Sequence, residues 1–148
     1  MIENLYNFLR LSDNLICSGM PGADQIAEVA GAGFQVVINL ALPTSEKALT
    51  NEAGLVASQG MKYIHIPVEW NRPTRENLED FMDTMDDNRG NRIFVHCQAN
   101  YRATGFIALY RVLRLGWQKE KAYEDLRRIW NPVEYPVWQK FLQDNGLS

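Results

Sequence analysis

Short apolar runs alternate with segments of helical periodicity along most of the chain. Residues 9–11 and 15–17 read as brief strands either side of the turn Ser12-Asp13-Asn14, and Ser18-Gly19-Met20-Pro21-Gly22 has loop chemistry. From Asp24 to Ala32 the apolar residues Ile26, Ala27, Val29 and Ala30 recur at helical spacing, and Gly33 is placed to stop that helix. Residues 35–40 (QVVINL) are apolar and β-branched, which suits a strand covered on both faces. Thr44 or Ser45 is positioned to cap a helix that runs through Ser58 and stops at Gly60.

Residues 61–68 (MKYIHIPV) predict the next strand. After the loop Trp70-Asn71-Arg72-Pro73, Thr74 is an N-cap for a helix in which Leu78, Phe81, Met82 and Met85 fall at i, i+3, i+4 and i+7. Asn88-Arg89-Gly90-Asn91 forms a turn, and residues 93–96 form a strand that delivers Cys97. Residues 103–115 are apolar almost all round, the pattern of a helix buried inside a domain. Gly116 ends it, and residues 120–130 and 136–143 predict two more helices. Strands alternating with helices imply an α/β fold: residues 1–148 as a single domain, with a mainly parallel central sheet flanked by helices.

Composition narrows the functions open to such a fold. With 148 residues, 46% hydrophobic and 22% charged, the chain suits one ordinary globular domain. Fifteen basic against eighteen acidic residues give a net charge of -3, which argues against a broad nucleic-acid surface and leaves room for a small cationic pocket. No apolar run approaches the ~18 residues of a membrane span. Residues 1–10 lack the pattern of a signal peptide, so a cytoplasmic setting is expected, with a processed secreted form left open. Two cysteines and two histidines make a poor disulfide framework and a poor metal cluster; no metal or cofactor is expected. The partner expected is a phosphorylated protein or small molecule. Oligomeric state is not legible.

The chemistry concentrates in Phe94-Val95-His96-Cys97-Gln98-Ala99-Asn100-Tyr101-Arg102-Ala103-Thr104-Gly105. A strand ends, a thiol follows at once, and a short polar loop leads into an apolar helix. Ligands of α/β sheets bind beyond the carboxyl ends of strands. The unpaired amides of residues 98–103, at the loop and the helix N-terminus, favour an anion and the thiolate form of Cys97. Arg102 adds a planar fork of donors matched to two phosphate oxygens. Thr104 is placed to hydrogen-bond the sulfur, Asn100 to take the left-handed backbone that a loop without glycine requires, Tyr101 to form the rim, and His96 to orient the loop from behind. His65 and Cys17 read as structural.

These residues resemble the phosphate-binding loop of the cysteine-dependent tyrosine and dual-specificity phosphatases, which reads His-Cys, five residues, Arg, then Ser or Thr and often Gly. His96, Cys97, Thr104 and Gly105 are in register with it. Only four residues separate Cys97 from Arg102, and Ala103 occupies the place of the family's arginine. Ser18-Gly19-Met20-Pro21, residues 32–40 and residues 63–68 are similar to bacterial phosphatase-like domains associated with beta-lactamase-hydrolase-like proteins. The resemblance implies a dual-specificity-phosphatase-like fold and hydrolysis of phosphomonoesters, phosphotyrosine-like or small aryl, through a cysteinyl-phosphate. The family's general acid is an Asp after the strand ending Ile-Pro-Val. Here Glu69 is the nearest replacement, ahead of Glu76 and Asp80. Two alternatives stay open: a rhodanese-like sulfurtransferase carrying a Cys97 persulfide, and a phosphate-binding module with weak turnover.

Overall fold

The computed structural model describes residues 1–147, and its elements follow the apolar pattern closely. Five strands form one sheet: β1 (Leu9–Ser12), β2 (Leu15–Ser18), β3 (Val36–Asn39), β4 (Lys62–His65) and β5 (Ile93–His96). Their order is β1-β2-β5-β3-β4, with β1 antiparallel to β2 and every other pair parallel. β3 and β5 are buried at every position, which explains why they read as continuous apolar runs rather than alternating ones.

Helices α1 (Ala23–Gly31) and α2 (Glu52–Ser58) contribute Ile26, Val29 and Val56 to a cluster with Ile16, Val37 and Phe94 on one face of the sheet. On the other face Cys17, Val36, Ile38 and Val95 pack with α3 (Arg75–Asp87), α4 (Tyr101–Leu113), α5 (Lys119–Arg127) and α6 (Pro136–Asp144). Helix α4 is buried from Arg102 through Arg111, as its all-round apolar sequence requires. Strand β5 lies between β2 and β3, with His96 opposite both Ser18 and Asn39. The connections after β2 and β3 cover one face and those after β4 and β5 the other. The carboxyl end of β5 is therefore the point where the sheet opens a crevice.

Several boundaries differ from expectation, among them the end of α5 at Arg127 rather than Trp130. The second helix starts at Glu52 rather than near Thr44, because Asn51 supplies the cap through its bond from the Gly54 amide (3.2 Å), while Ser45 Oγ bonds back to the Leu42 amide (3.0 Å). Helix α4 starts at Tyr101, two residues early. Strand β4 ends at His65, although the amides of Ile66 and Val68 still bond to the carbonyls of Asn39 and Leu40. A 3₁₀ turn at Ile2–Asn4, which no periodicity announced, packs Ile2 and Leu5 beneath the α1–α2 layer. Among the described residues no helix is long and apolar enough to cross a membrane.

Candidate active site

Cys97 leaves the end of β5 and its amide still bonds to the Ser18 carbonyl (3.3 Å), so the sheet fixes where the thiol begins. The four carbonyls that follow are all held outward. That of Cys97 faces His96 Nδ1 (3.3 Å), that of Gln98 accepts from the Met20 amide (2.9 Å), and that of Ala99 accepts from Asn7 Nδ2 (3.0 Å). The Asn100 carbonyl accepts from the Thr104 amide (3.2 Å) and hydroxyl (2.7 Å). In a trans peptide the carbonyl and the next N–H point in opposite directions, so the amides of residues 98–101 turn inward. Among the described residues none of the main-chain amides of residues 98–103 donates a hydrogen bond within the protein. They converge as a cradle of donors for an anion.

Asn100 has φ 70° and ψ 8°, the left-handed conformation expected of it, and caps α4. Its Nδ2 bonds to the Asn7 carbonyl (2.8 Å), reciprocating the bond from Asn7 to Ala99. Gly19 is required by the close approach of the loop after β2, since a Cβ there would sit 2.5 Å from the Gln98 carbonyl oxygen.

Arg102, in the first turn of α4, is only 6% exposed. Its Nη1 donates to the Val68 carbonyl (2.7 Å), and among the described residues it forms no ion pair. A buried guanidinium without a carboxylate partner is costly unless an anion completes it. Cys97 is 1% exposed, yet it lines a cavity of about 340 Å³ together with Trp70, Gln98, Ala99, Tyr101, Arg102 and Tyr135. The shortened spacing thus still brings sulfur and guanidinium to one cavity, since the helix that presents Arg102 begins early. Ala103 is fully buried in the core beneath, and Asn100 points away toward Asn7, so both serve the cradle through main chain only.

The cavity wall is aromatic. Trp70 lies with ring centroids 5.9 Å from Tyr101 and 5.3 Å from both Tyr135 and Trp138, and Tyr101 stacks on Trp130 at 5.0 Å. Trp138 Nε1 donates to the Trp70 carbonyl (2.7 Å), which ties the loop after β4 to α6. Trp70 and Tyr135 were not singled out as site residues in the sequence, because tertiary folding brings them from distant loops.

Two expectations need correction. Thr104 does not serve the sulfur: its hydroxyl donates to the Asn100 carbonyl and accepts from Trp130 Nε1 (2.9 Å). Helix α4 turns that side chain back along its own first turn, a common use of a helical Thr. Glu69 does not line the cavity; its side chain is 53% exposed and pairs with Arg72 (3.4 Å). The extended backbone buries Val68 and so directs the next side chain outward. No carboxylate lines the cavity among the described residues.

His96 is fully buried behind the loop, with Nε2 2.6 Å from Glu52 Oε2. His65 is structural, its Nε2 2.7 Å from the Ala41 carbonyl. Cys17 is fully buried, and burial pushes its thiol up to about 12, well above the reactive range. Among the described residues no three His, Cys, Asp or Glu side chains group to hold a metal ion.

Comparison with known proteins fits this geometry. Residues 12–133 match the family model described as a DSP-PTPase phosphatase fused to NAD+ kinase. The crystal structure of a candidate phosphatase (DUF442) from Shewanella putrefaciens CN-32 superimposes with a TM-score of 0.89 at 33% identity, covering 99% of this chain and 94% of that one. The dual specificity protein phosphatase TpbA of Pseudomonas aeruginosa is 24% identical over 129 residues, 86% of this chain and 56% of TpbA. Its structure in complex with pTyr superimposes with a TM-score of 0.75 at 16% identity, covering 95% of this chain and 85% of that one. A beta-lactamase hydrolase-like protein of Xylella fastidiosa (strain Temecula1) is 28% identical over 109 residues, 70% of this chain and 24% of that protein. This chain thus spans about half of one curated relative and a quarter of the other.

Proposed function

This chain belongs to the DSP-PTPase phosphatase family whose members include fusions to NAD+ kinase, and from that premise we propose that it hydrolyses phosphate monoesters through a cysteinyl-phosphate. The observation that carries the proposal is the set of six unbonded amides at residues 98–103, those of 98–101 turned inward, with Cys97 and the unpaired Arg102 lining one cavity beside them. The Cys97 thiolate attacks phosphorus, an S–P bond forms and the ester P–O bond breaks. The amides and Arg102 stabilise the charge on the equatorial oxygens. Water then cleaves the S–P bond, releasing inorganic phosphate and restoring the thiolate.

The walls of the cavity support one substrate class. Trp70, Tyr101 and Tyr135 line the cavity and supply aromatic surface suited to an aromatic ring. A phenol leaves as an anion far more readily than an alkanol does, so an aryl ester makes the least demand on a cavity without a carboxylic acid. Both features favour phosphotyrosine-like or small aryl phosphates, the class represented by the pTyr complex of TpbA. The sulfurtransferase alternative draws no support from the family match.

The test is hydrolysis of para-nitrophenyl phosphate by wild type and Cys97→Ser, with tungstate binding measured on both. Turnover is expected to fall to background in the variant while tungstate affinity holds within a few-fold. Equal rates in the two proteins refute the covalent mechanism. Tungstate binding with no turnover in the wild type leaves a phosphate-binding module.

A further inference from the structure

We infer that Glu52 is a positioning residue for the Cys97 loop: acting through His96, it holds the Cys97 carbonyl and so aims the Gln98 amide into the anion cradle. This deepens the phosphatase reading and rests on it for the meaning of the cradle. The residue itself lies outside that loop.

Glu52 opens α2, forty-four residues from His96 in sequence, and is 6% exposed. Both of its oxygens are engaged: Oε2 lies 2.6 Å from His96 Nε2 and Oε1 accepts from Asn39 Nδ2 (3.3 Å). Asn39 Nδ2 also donates to the Tyr63 hydroxyl (3.0 Å), and Asn39 Oδ1 accepts from the Ala41 amide (2.8 Å). The far side of the imidazole faces the Cys97 carbonyl at 3.3 Å, and Phe94 stacks on the ring at 5.4 Å between centroids.

A carbonyl can only accept, so Nδ1 is the donor in that contact, while Nε2 faces a carboxylate oxygen of Glu52 at 2.6 Å. This is the arrangement by which a carboxylate fixes the orientation of a histidine. The consequence reaches the loop because the peptide between residues 97 and 98 is rigid and trans. Holding its oxygen against His96 turns the Gln98 N–H to the opposite side, where the cradle lies. Of the contacts that hold the loop carbonyls outward, the one to His96 has no shorter partner bond to the same oxygen and is longer than those at Gln98 and Ala99. It therefore depends most on how firmly the ring is aimed.

The donor pattern makes the inference testable by exchange. A Gln at position 52 that keeps its oxygen toward His96 must point its NH2 at the NH2 of Asn39. Replacing Asn39 by Asp turns that conflict into a hydrogen bond and leaves an acceptor for Ala41. Tungstate affinity is read from tryptophan fluorescence, since Trp70 lines the cavity, and the rate of Cys97 alkylation by iodoacetamide is read at one fixed pH. Cys17 is too buried to contribute.

Glu52→Gln is expected to weaken tungstate binding about tenfold, the scale of one misdirected hydrogen bond to an anion, and to slow alkylation several-fold. Adding Asn39→Asp restores most of both. Glu124→Gln, on the exposed face of α5, is expected to change neither. Glu52→Asp, which draws the carboxylate back by one methylene, is a second variant and must also weaken binding. Wild-type affinity and alkylation in folded Glu52→Gln or Glu52→Asp overturns the inference. So does a loss that Asn39→Asp leaves unchanged, since that marks a packing role alone. If the wild type binds no tungstate and cleaves no ester, the phosphatase reading fails. The alkylation rates and their rescue still decide whether Glu52 governs the loop.

Discussion

Removing the Arg102 guanidinium tests the site most directly, because its donors are divided. One goes to the Val68 carbonyl at 2.7 Å, the others have no partner among the described residues, and the residue lines the cavity with Cys97. An anion in the cradle then takes two further charge-assisted bonds from the fork, each worth about 1.5–3 kcal/mol. Arg102→Ala loses both, about 3–6 kcal/mol in all, so kcat/KM for an aryl phosphate should fall by roughly 10²- to 10⁴-fold. Lysine presents a point charge rather than a fork, so Arg102→Lys keeps one bond and should lose roughly 10- to 100-fold. Either change also orphans the Val68 carbonyl, at a cost to stability of about 1–3 kcal/mol. Assays therefore run well below the melting temperature, with tungstate affinity measured in parallel and Glu69→Gln as a control that should keep wild-type rates. Moving the arginine to the family's usual position, Arg102→Ala with Ala103→Arg, should not restore activity, because position 103 is fully buried in the core. Wild-type kcat/KM and tungstate affinity in Arg102→Ala, or recovery in the shifted variant, would refute the assignment.

Asn100→Ala should destabilise the fold by about 2–3 kcal/mol, combining the left-handed backbone with the lost bond to Asn7. Asn100→Gly should cost about half as much, since only the bond is lost. Urea unfolding that ranks Ala at or above Gly counts against strain at φ 70°. Hydrogen bonds from Arg89, Tyr110 and Arg114 hold Asp86 at about 2, below its ordinary 3.8. A carboxylate depressed on folding contributes its full stability above the ordinary value, and that contribution is lost as pH falls through the folded value. Stability should thus decline between about pH 4 and pH 2 more steeply in wild type than in Asp86→Asn; parallel curves for the two would remove Asp86 from the acid response.

The chemistry of the site was legible where the chain itself is continuous. His96, Cys97 and Arg102 are delivered by one strand, one turn and one helix, so their order states their arrangement. The need for Asn100 in a left-handed position followed from a loop without glycine, and the buried character of α4 from its all-round apolar pattern. Partners from other segments left no such trace. Asn7, Met20 and Val68 act through bonds to the loop or to Arg102, Met20 and Val68 solely by main-chain atoms that nearly every residue possesses. Glu52 lies inside the helix expected to begin near Thr44, and no spacing marks it.

The two corrected roles share a cause. Thr104 and Glu69 were assigned by distance along the chain, whereas the direction of a side chain depends on what its neighbours bury. Trp130 Nε1 engages the Thr104 hydroxyl, Trp138 Nε1 holds the Trp70 carbonyl, and burial of Val68 sends Glu69 to water. The order of strands, the buried helix and the thiol at a strand end were set by local periodicity and backbone preference, which act between near neighbours. Which amides point inward, which carboxylate steadies the imidazole and which rings enclose the cavity were decided only by packing between distant segments, because those contacts depend on three-dimensional proximity that no spacing encodes.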